Sequence, residues 1–311
     1  MPTSPDGVNA RLEGVLLGAV RTADPAMSTM AAVLLRRGGK RLRPTLLRRC
    51  AELGDADDDI ALRAAAVVEL LHVASLHHDD VMDEASIRRG GSSANALWGD
   101  ETAALVGTHI MARATALLAG LPPDVVASVA DTTFVVCTGQ LRETEHAYDL
   151  DLDLDTYIDI LRMKTASLFE LPCRIGAMLA GLEPSQVDAV ARYGSNLGIA
   201  FQLIDDLLDF EGETTALGKP TGTDLDRGIY SYPVLFALRE PTGATLRERL
   251  GASETVGAAA ELVRASGAPT ATGELAREYS DRADRKLDLF PDTAARSALR
   301  ALTDLVIARD R

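Results

Sequence analysis

An all-α fold follows from three features of the sequence. Apolar residues recur at three- and four-residue steps over long windows, runs of alternating β-branched residues bounded by hairpin turns are absent, and clusters of Gly and Pro fall between the windows. Taken in order, Thr3 to Gly7 (Thr, Ser, Pro, Asp, Gly) reads as a frayed start. Ile60 to Val81, Val125 to Leu141, Tyr157 to Leu179 and Val187 to Leu208 are each long enough for four or more helical turns. Breaks fall at Gly38-Gly39, Gly90-Gly91, Pro122-Pro123, Gly181 to Pro184 and Gly218 to Gly228. The run from Asp149 to Asp155 alternates Asp and Leu as a strand would. It directly precedes the Tyr157 window, however, and reads as a solvated loop that brings carboxylates to a helix start. Beyond Ser253 further amphipathic helices follow, without recognisable chemistry. No shift in composition marks a linker, so residues 1–311 read as one domain.

The apolar share, 47%, is ample for a core and excludes a mainly disordered chain. With 32 basic and 46 acidic residues the net charge is −14, a surface that repels a phosphate backbone, so no nucleic acid is expected as main partner. An anionic ligand needs a local basic cluster or metal cations. Cys50, Cys137 and Cys173 are scattered and odd in number, which suits reduced thiols better than a disulfide framework or zinc site. No basic segment followed by an apolar one opens the chain, and no stretch reaches about 18 uninterrupted apolar residues. The expectation is a soluble, cytoplasmic protein with no membrane span.

One acidic pattern occurs twice. Asp79-Asp80-Val81-Met82-Asp83 ends one long helical window, and Asp205-Asp206-Leu207-Leu208-Asp209 lies near the end of another. The first and last Asp of each are i and i+4, so their carboxylates share one helix face. Like charges at that spacing destabilise a helix, more so near a C-terminus, and call for compensating cations. Carboxylate oxygens select hard ions, and Mg²⁺ takes one or two of them together with water and substrate phosphates. A single copy reads more readily as a solvated helix end, whereas two copies in apolar helices point to a metal-bridged phosphate site. Donors for phosphate cluster nearby in sequence. Gly38-Gly39-Lys40-Arg41-Leu42-Arg43-Pro44 opens a helical window, and Arg88-Arg89-Gly90-Gly91 follows the first motif. Lys164-Thr165 and Gly218-Lys219-Pro220 add cations, and His72 lies two turns before Asp79. Each is weak alone: the Gly-Gly-Lys-Arg stretch also suits a turn, and a lone His is more often structural. Together they favour diphosphate.

The set GGKRLRP, ELLHVASLHHDDVMDEASIRRG, KTASLF, GIAFQLIDDLLDF and GKPTGTDL, in that order, resembles the trans-isoprenyl (polyprenyl) diphosphate synthases. The resemblance implies an isoprenoid-synthase-type helical bundle around a central cavity, usually a homodimer. It implies Mg²⁺-dependent 1′-4 condensation of an allylic diphosphate with isopentenyl diphosphate. Mapped residue by residue, Asp79, Asp83, Asp205 and Asp209 are implied metal ligands, and Arg88, Lys164, Gln202 and Lys219 allylic-diphosphate contacts. Lys40, Arg43, His72 and Arg89 are the implied isopentenyl-diphosphate set. The Thr165 hydroxyl and Gln202 amide oxygen are implied cation-facing dipoles, and the released diphosphate the base.

If the diphosphate sits at Asp79, the tail runs back past Ser75, Ala74 and then Leu71, one turn per isoprene unit. Neither Ser75 nor Ala74 is an aromatic block, which favours a product of C30 or longer; a stop at C15–C20, at Leu71 or a facing helix, stays open. Two departures from the family pattern are Thr108-His109 after Gly107, where a carboxylate and an aromatic are common, and Ile229 after Gly228, where a Lys is common. Rival readings are a class I terpene cyclase, which would carry a different second metal motif, and a non-catalytic partner subunit, which should have lost ligands retained here.

Overall fold

Several helix starts in this chain are fixed by side-chain caps. The structure, a computed structural model, describes residues 5–211, 225, 227–251 and 256–308. After α1 (Pro5–Ala19), Asp24 caps α2 (Pro25–Arg36): its carboxylate accepts the Ala26 N–H at 2.8 Å, and Pro25 occupies the first helical position. α3 (Leu42–Ala51) is followed by α4 (Asp58–Met82), where the Asp57 carboxylate accepts from the N–H groups of Asp59 and Ile60, both at 2.9 Å. Asp58 and Asp59 add negative charge to the positive end of α4. A two-residue ladder, β1 (Ile87–Arg88) and β2 (Gly91–Ser92), pairs antiparallel with Ile87 opposite Ser92. Its turn residues Arg89 and Gly90 both have positive φ, 49° and 70°, as a tight hairpin matched to strand twist requires.

The chain continues through α5 (Ala94–Trp98), α6 (Asp100–Leu118), α7 (Pro123–Glu145) and α8 (Leu154–Leu161). A π-helical turn, Arg162–Ala166, leads into α9 (Ser167–Leu179) and α10 (Pro184–Glu211). Then come α11 (Tyr232–Ala237), α12 (Gly243–Leu250), α13 (Val256–Ala265) and α14 (Ala268–Lys286). A 3₁₀ turn, Leu287–Leu289, precedes α15 (Ala294–Ile307).

The four long windows are thus α4, α7, α8 with α9, and α10. Three details differ from the sequence reading. Pro5 to Gly7 lie in α1 rather than in a frayed start, with Pro5 at the position where a missing N–H costs nothing. The Arg88–Gly91 turn forms a small ladder. The Tyr157 window is interrupted by the π turn, which no residue pattern announces. Of the Asp149–Asp155 run, residues 149–153 form a loop and Leu154 and Asp155 open α8, which Asp153 caps by accepting the Thr156 N–H at 2.8 Å.

Two compact units emerge. Unit 1 comprises residues 1–129 and 171–187, and unit 2 residues 130–170 and 188–311. In unit 1, α4 is the central element: Ala64, Ala65 and Ala66 are all buried, so successive positions around the helix meet neighbours. Its most apolar 18-residue window is 72% buried, and although α4 has the length and composition of a membrane span, it is a core helix. In unit 2, α10 packs on α15, where the buried Tyr193 hydroxyl donates to the Leu299 carbonyl at 2.8 Å.

Candidate active site

The first acidic motif closes α4. Residues i and i+4 of a helix lie about 40° apart in rotation and i+1 about 100° away, so a D-D-x-x-D pattern aims two carboxylates one way and the middle one elsewhere. Asp79 and Asp83 are half-buried, whereas Asp80 is fully buried and accepts the Arg88 Nε–H at 2.6 Å. The hairpin after α4 therefore returns Arg88 to the motif it follows. The adjacent Arg89 ties that hairpin to the end of α2, donating to the carbonyls of Leu34 (2.8 Å) and Gly38 (2.6 Å).

The remaining basic residues of unit 1 divide by role. Arg41, in a left-handed conformation (φ 45°) and buried, pairs with Glu13 at 2.7 Å and with the buried Glu69 at 2.6 Å. It is a structural guanidinium, and Glu69 also faces Arg89 at 3.8 Å. Arg43 is half-buried and Lys40 exposed. His72 is the electrostatic centre of this set. Desolvation, followed by the charges of Arg43, Arg89, Arg88 and Arg41, pushes its imidazole well below 6.5, so it is neutral at pH 7. With Arg41 neutralised by Glu13 and Glu69, the guanidiniums of Arg43, Arg88 and Arg89 around a neutral ring give a local basic field in a chain of net charge −14.

Of the residues expected to bound the product, Leu71 and Ala74 lie in the core of unit 1, Ala74 with no exposed surface. Ser75 is half-buried, with its hydroxyl donating to the His72 carbonyl at 2.9 Å. Gly107 of α6 sits where an added Cβ would come within 2.7 Å of His78 Nε2, and the following Thr108 is exposed, donating to the Ala104 carbonyl at 3.0 Å. Ile229 is half-buried.

Unit 2 carries the second motif with the same division. Asp205 and Asp209 are half-buried, and Asp206 is 7% exposed. Asp206 accepts the Tyr157 hydroxyl at 2.6 Å and the Gln202 side-chain amide at 3.1 Å, and the Gln202 oxygen accepts the Thr165 hydroxyl at 3.1 Å. A chain of hydrogen bonds thus joins Thr165, Gln202, Asp206 and Tyr157. Lys164 and Thr165 lie in the π turn, a local widening frequent at functional sites. The Lys164 ammonium is ion-paired with Glu143 of α7. Lys219 lies outside the described residues.

Sequence reasoning gave no role to Glu69, Glu143 and Tyr157, and it counted Arg41 among the phosphate donors although Glu13 and Glu69 neutralise it. Tyr157 stands two turns before Lys164, a spacing that suits a shared face; Glu143, in another helix, has no motif at all. Among the described residues no group of three or more His, Cys, Asp or Glu side chains forms a metal cage. The donors present are oxygens in pairs one turn apart, which fits Mg²⁺ or another hard cation that completes its shell with water and phosphate.

Residues 24–265 match the family described as Polyprenyl synthetase. The chain belongs to the polyprenyl synthetase family. It is similar to the nonaprenyl diphosphate synthase of Mycobacterium tuberculosis, 39% identical over 307 residues, which cover 96% of this chain and 92% of that one. Its fold matches the crystal structure of a polyprenyl synthase from Caulobacter crescentus complexed with calcium and isoprenyl diphosphate (TM-score 0.92, 35% identity, covering 98% of this chain and 96% of that one). It also matches a geranylgeranyl pyrophosphate synthase from Corynebacterium glutamicum, complexed with the same ligands (TM-score 0.84, 36% identity, 98% and 95% coverage). This polyprenyl diphosphate synthase is a prenyltransferase, and its reaction is trans-prenyl chain elongation.

Proposed function

We propose that residues 1–311 act as one catalytic module that condenses an allylic diphosphate with isopentenyl diphosphate to an all-trans product of C30 or longer. Ser75 carries the length reading: it is small, half-buried, and one turn from Asp79 on α4, so no aromatic floor stands beside the first isoprene unit. The relatives named above, with both long-chain and geranylgeranyl synthases near 35–39% identity, leave a C15–C20 stop at Leu71 as the second reading.

Asp79, Asp83, Asp205 and Asp209 would hold Mg²⁺, supported by their half-burial and all-oxygen chemistry. When bound, the metal supplies positive charge to the departing diphosphate. Arg88, Lys164 and Lys219 bind the allylic diphosphate, and Lys164 exchanges its Glu143 partner for phosphate oxygen. Lys40, Arg43 and Arg89, with neutral His72 as donor or acceptor, hold isopentenyl diphosphate. Thr165 and Gln202 aim dipoles at the allylic cation, and Gln202 is oriented by Asp206. Holding the second substrate close gives the alkene its advantage of orientation, and exclusion of water keeps the cation from becoming an alcohol.

The protein acts in the cytoplasm as a homodimer. An exposed apolar stripe on α7, Phe134 (72% exposed), Cys137 and Leu141 (66% exposed), one turn apart in succession, supports the dimer. Retention of both acidic motifs argues against a non-catalytic partner subunit. The deciding experiment supplies Mg²⁺, labelled isopentenyl diphosphate and each allylic starter in turn, and reads product length. A ladder to C30 or beyond is expected; termination at C15 or C20 would move the floor to Leu71, and no incorporation by folded protein would overturn the catalytic reading.

A further inference from the structure

Unit 2 contains a cleft of about 420 Å³ that the reaction does not use. It is lined by cations from three separate segments: Arg162 of the π turn, Arg192 of α10, and Arg282, Arg285 and Lys286 at the end of α14. One carboxylate, Glu170, joins them. Arg192 is 13 residues before Asp205 on the same helix, so at 1.5 Å per residue the cleft lies roughly 20 Å along α10 from the second acidic motif.

The charge is unusual in both amount and pairing. Arg162 and Arg282 each have an exposed carboxylate one turn away, Asp159 and Glu278, and Arg282 also lies over the Tyr279 ring at 4.7 Å. Such exposed pairs are weak and exchange readily for a better anion. The side chains of Arg192, Arg285 and Lys286 have no ion-pair partner among the described residues. Basic residues in the last turn of α14 are explained in part by the helix dipole, which favours cations there. That explanation does not reach Arg192, in the first third of α10, or Arg162 in the π turn. Five cations converging on one concavity of an acidic protein repel one another, and the arrangement is relieved by a ligand that carries several negative charges. The volume falls within the range of small-molecule sites.

We propose that this cleft binds a soluble phosphate polyanion, a di- or triphosphate group gripped by the guanidiniums of Arg192 and Arg285 and the ammonium of Lys286. Guanidinium forks match phosphate oxygens in pairs, and the partly open cleft leaves room for an attached organic group outside.

The test titrates inorganic triphosphate into the full-length protein by calorimetry, in EDTA to silence metal-dependent binding, for wild type and for Arg192→Ala/Arg285→Ala. Any binding at the basic set around His72 is common to both proteins. The expected result is one site fewer in the variant, or at least a tenfold loss of affinity at that site, with the wild-type site weakening steeply as salt rises. Circular dichroism and prenyl transfer at saturating substrate should be unchanged, because Arg192 and Arg285 are exposed and outside the catalytic set. Identical isotherms for the two proteins would overturn the proposal. Vesicles containing 30% anionic phospholipid provide the second arm: if they retain wild type and not the variant while triphosphate binding is identical, the cleft serves a lipid surface and the soluble-ligand proposal falls.

Discussion

Replacing Tyr157 by Phe removes one oxygen and leaves the ring packing of α8 intact. That oxygen donates to Asp206 at 2.6 Å, and Asp206 is nearly inaccessible to water, so no solvent molecule readily takes its place. A hydrogen bond to a charged group contributes about 1.5–3 kcal/mol, and the upper half of that range applies where the acceptor is buried. Urea unfolding of Tyr157→Phe should therefore show a loss of about 2 kcal/mol relative to wild type, with an unchanged m-value. The functional consequence runs through Gln202, whose amide donates to the other Asp206 oxygen while its own oxygen accepts from Thr165. With one anchor gone, Asp206 rotates, Gln202 follows, and turnover should fall about tenfold, equivalent to roughly 1.4 kcal/mol in barrier. The KM for isopentenyl diphosphate, assigned to unit 1, should stay within twofold. Wild-type stability together with wild-type turnover would refute the reasoning, because the buried carboxylate would then not depend on Tyr157.

Other expectations follow from the same geometry. Asp79→Asn and Asp205→Asn should each lower turnover by two or more orders of magnitude in steady-state assays while leaving the thermal midpoint within a few degrees, since both carboxylates are half-buried rather than core. Arg88→Leu strips the guanidinium partner from fully buried Asp80 and should cost on the order of 3 kcal/mol in urea unfolding. His72, its pKa well below 6.5 in the fold, binds fewer protons there than when unfolded. Its contribution to stability is therefore present above pH 6.5 and lost as pH falls below it; imidazole NMR shifts should show no midpoint near 6.5 in substrate-free protein. Ser75→Phe should shorten the product. It is a cleaner probe than a change at Ala74, whose surface is wholly taken up by the core, so that a larger side chain there would overpack unit 1.

Helix positions were readable because apolar periodicity is a local property, and α4, α7 and α10 repeat it over many turns. The two acidic motifs were readable for a related reason: helical rotation alone separates the outer aspartates from the middle one. What the middle aspartates meet was not. Asp80 finds Arg88 across a hairpin, and Asp206 finds Tyr157 from another helix, so the same five-residue pattern is completed by different chemistry in the two units. Nor did residue type and spacing distinguish Arg41 from Arg43; only the family resemblance singled out the second. The first is consumed by Glu13 and Glu69, the latter a buried acid in the middle of an apolar helix, ten residues before the first acidic motif. Charge type can be read along a chain; charge neutralisation depends on contacts from distant segments.

The π turn at Lys164-Thr165 is the clearest instance, and two glycines far apart in sequence explain how it is accommodated. A Cβ added at Gly139 of α7 would stand 2.6 Å from the Lys164 backbone nitrogen, and one at Gly198 of α10 would stand 2.6 Å from Ala166 Cα. Both neighbouring helices thus reach the widened turn at positions that only a missing side chain allows. Gly198→Ala gains about 1 kcal/mol of helix propensity but forces a contact no real Cβ sustains, and overpacking of that kind costs about 1–3 kcal/mol. The neighbour that must give is backbone, one residue from Thr165, so the shift acts on the hydroxyl that donates to Gln202 at 3.1 Å. Gly198→Ala should therefore lower turnover several-fold and lower stability in urea by up to about 2 kcal/mol, the gain in propensity offsetting only part of the overpacking. A raised midpoint with undiminished turnover would show that the turn relaxes freely and that its geometry does not position Thr165.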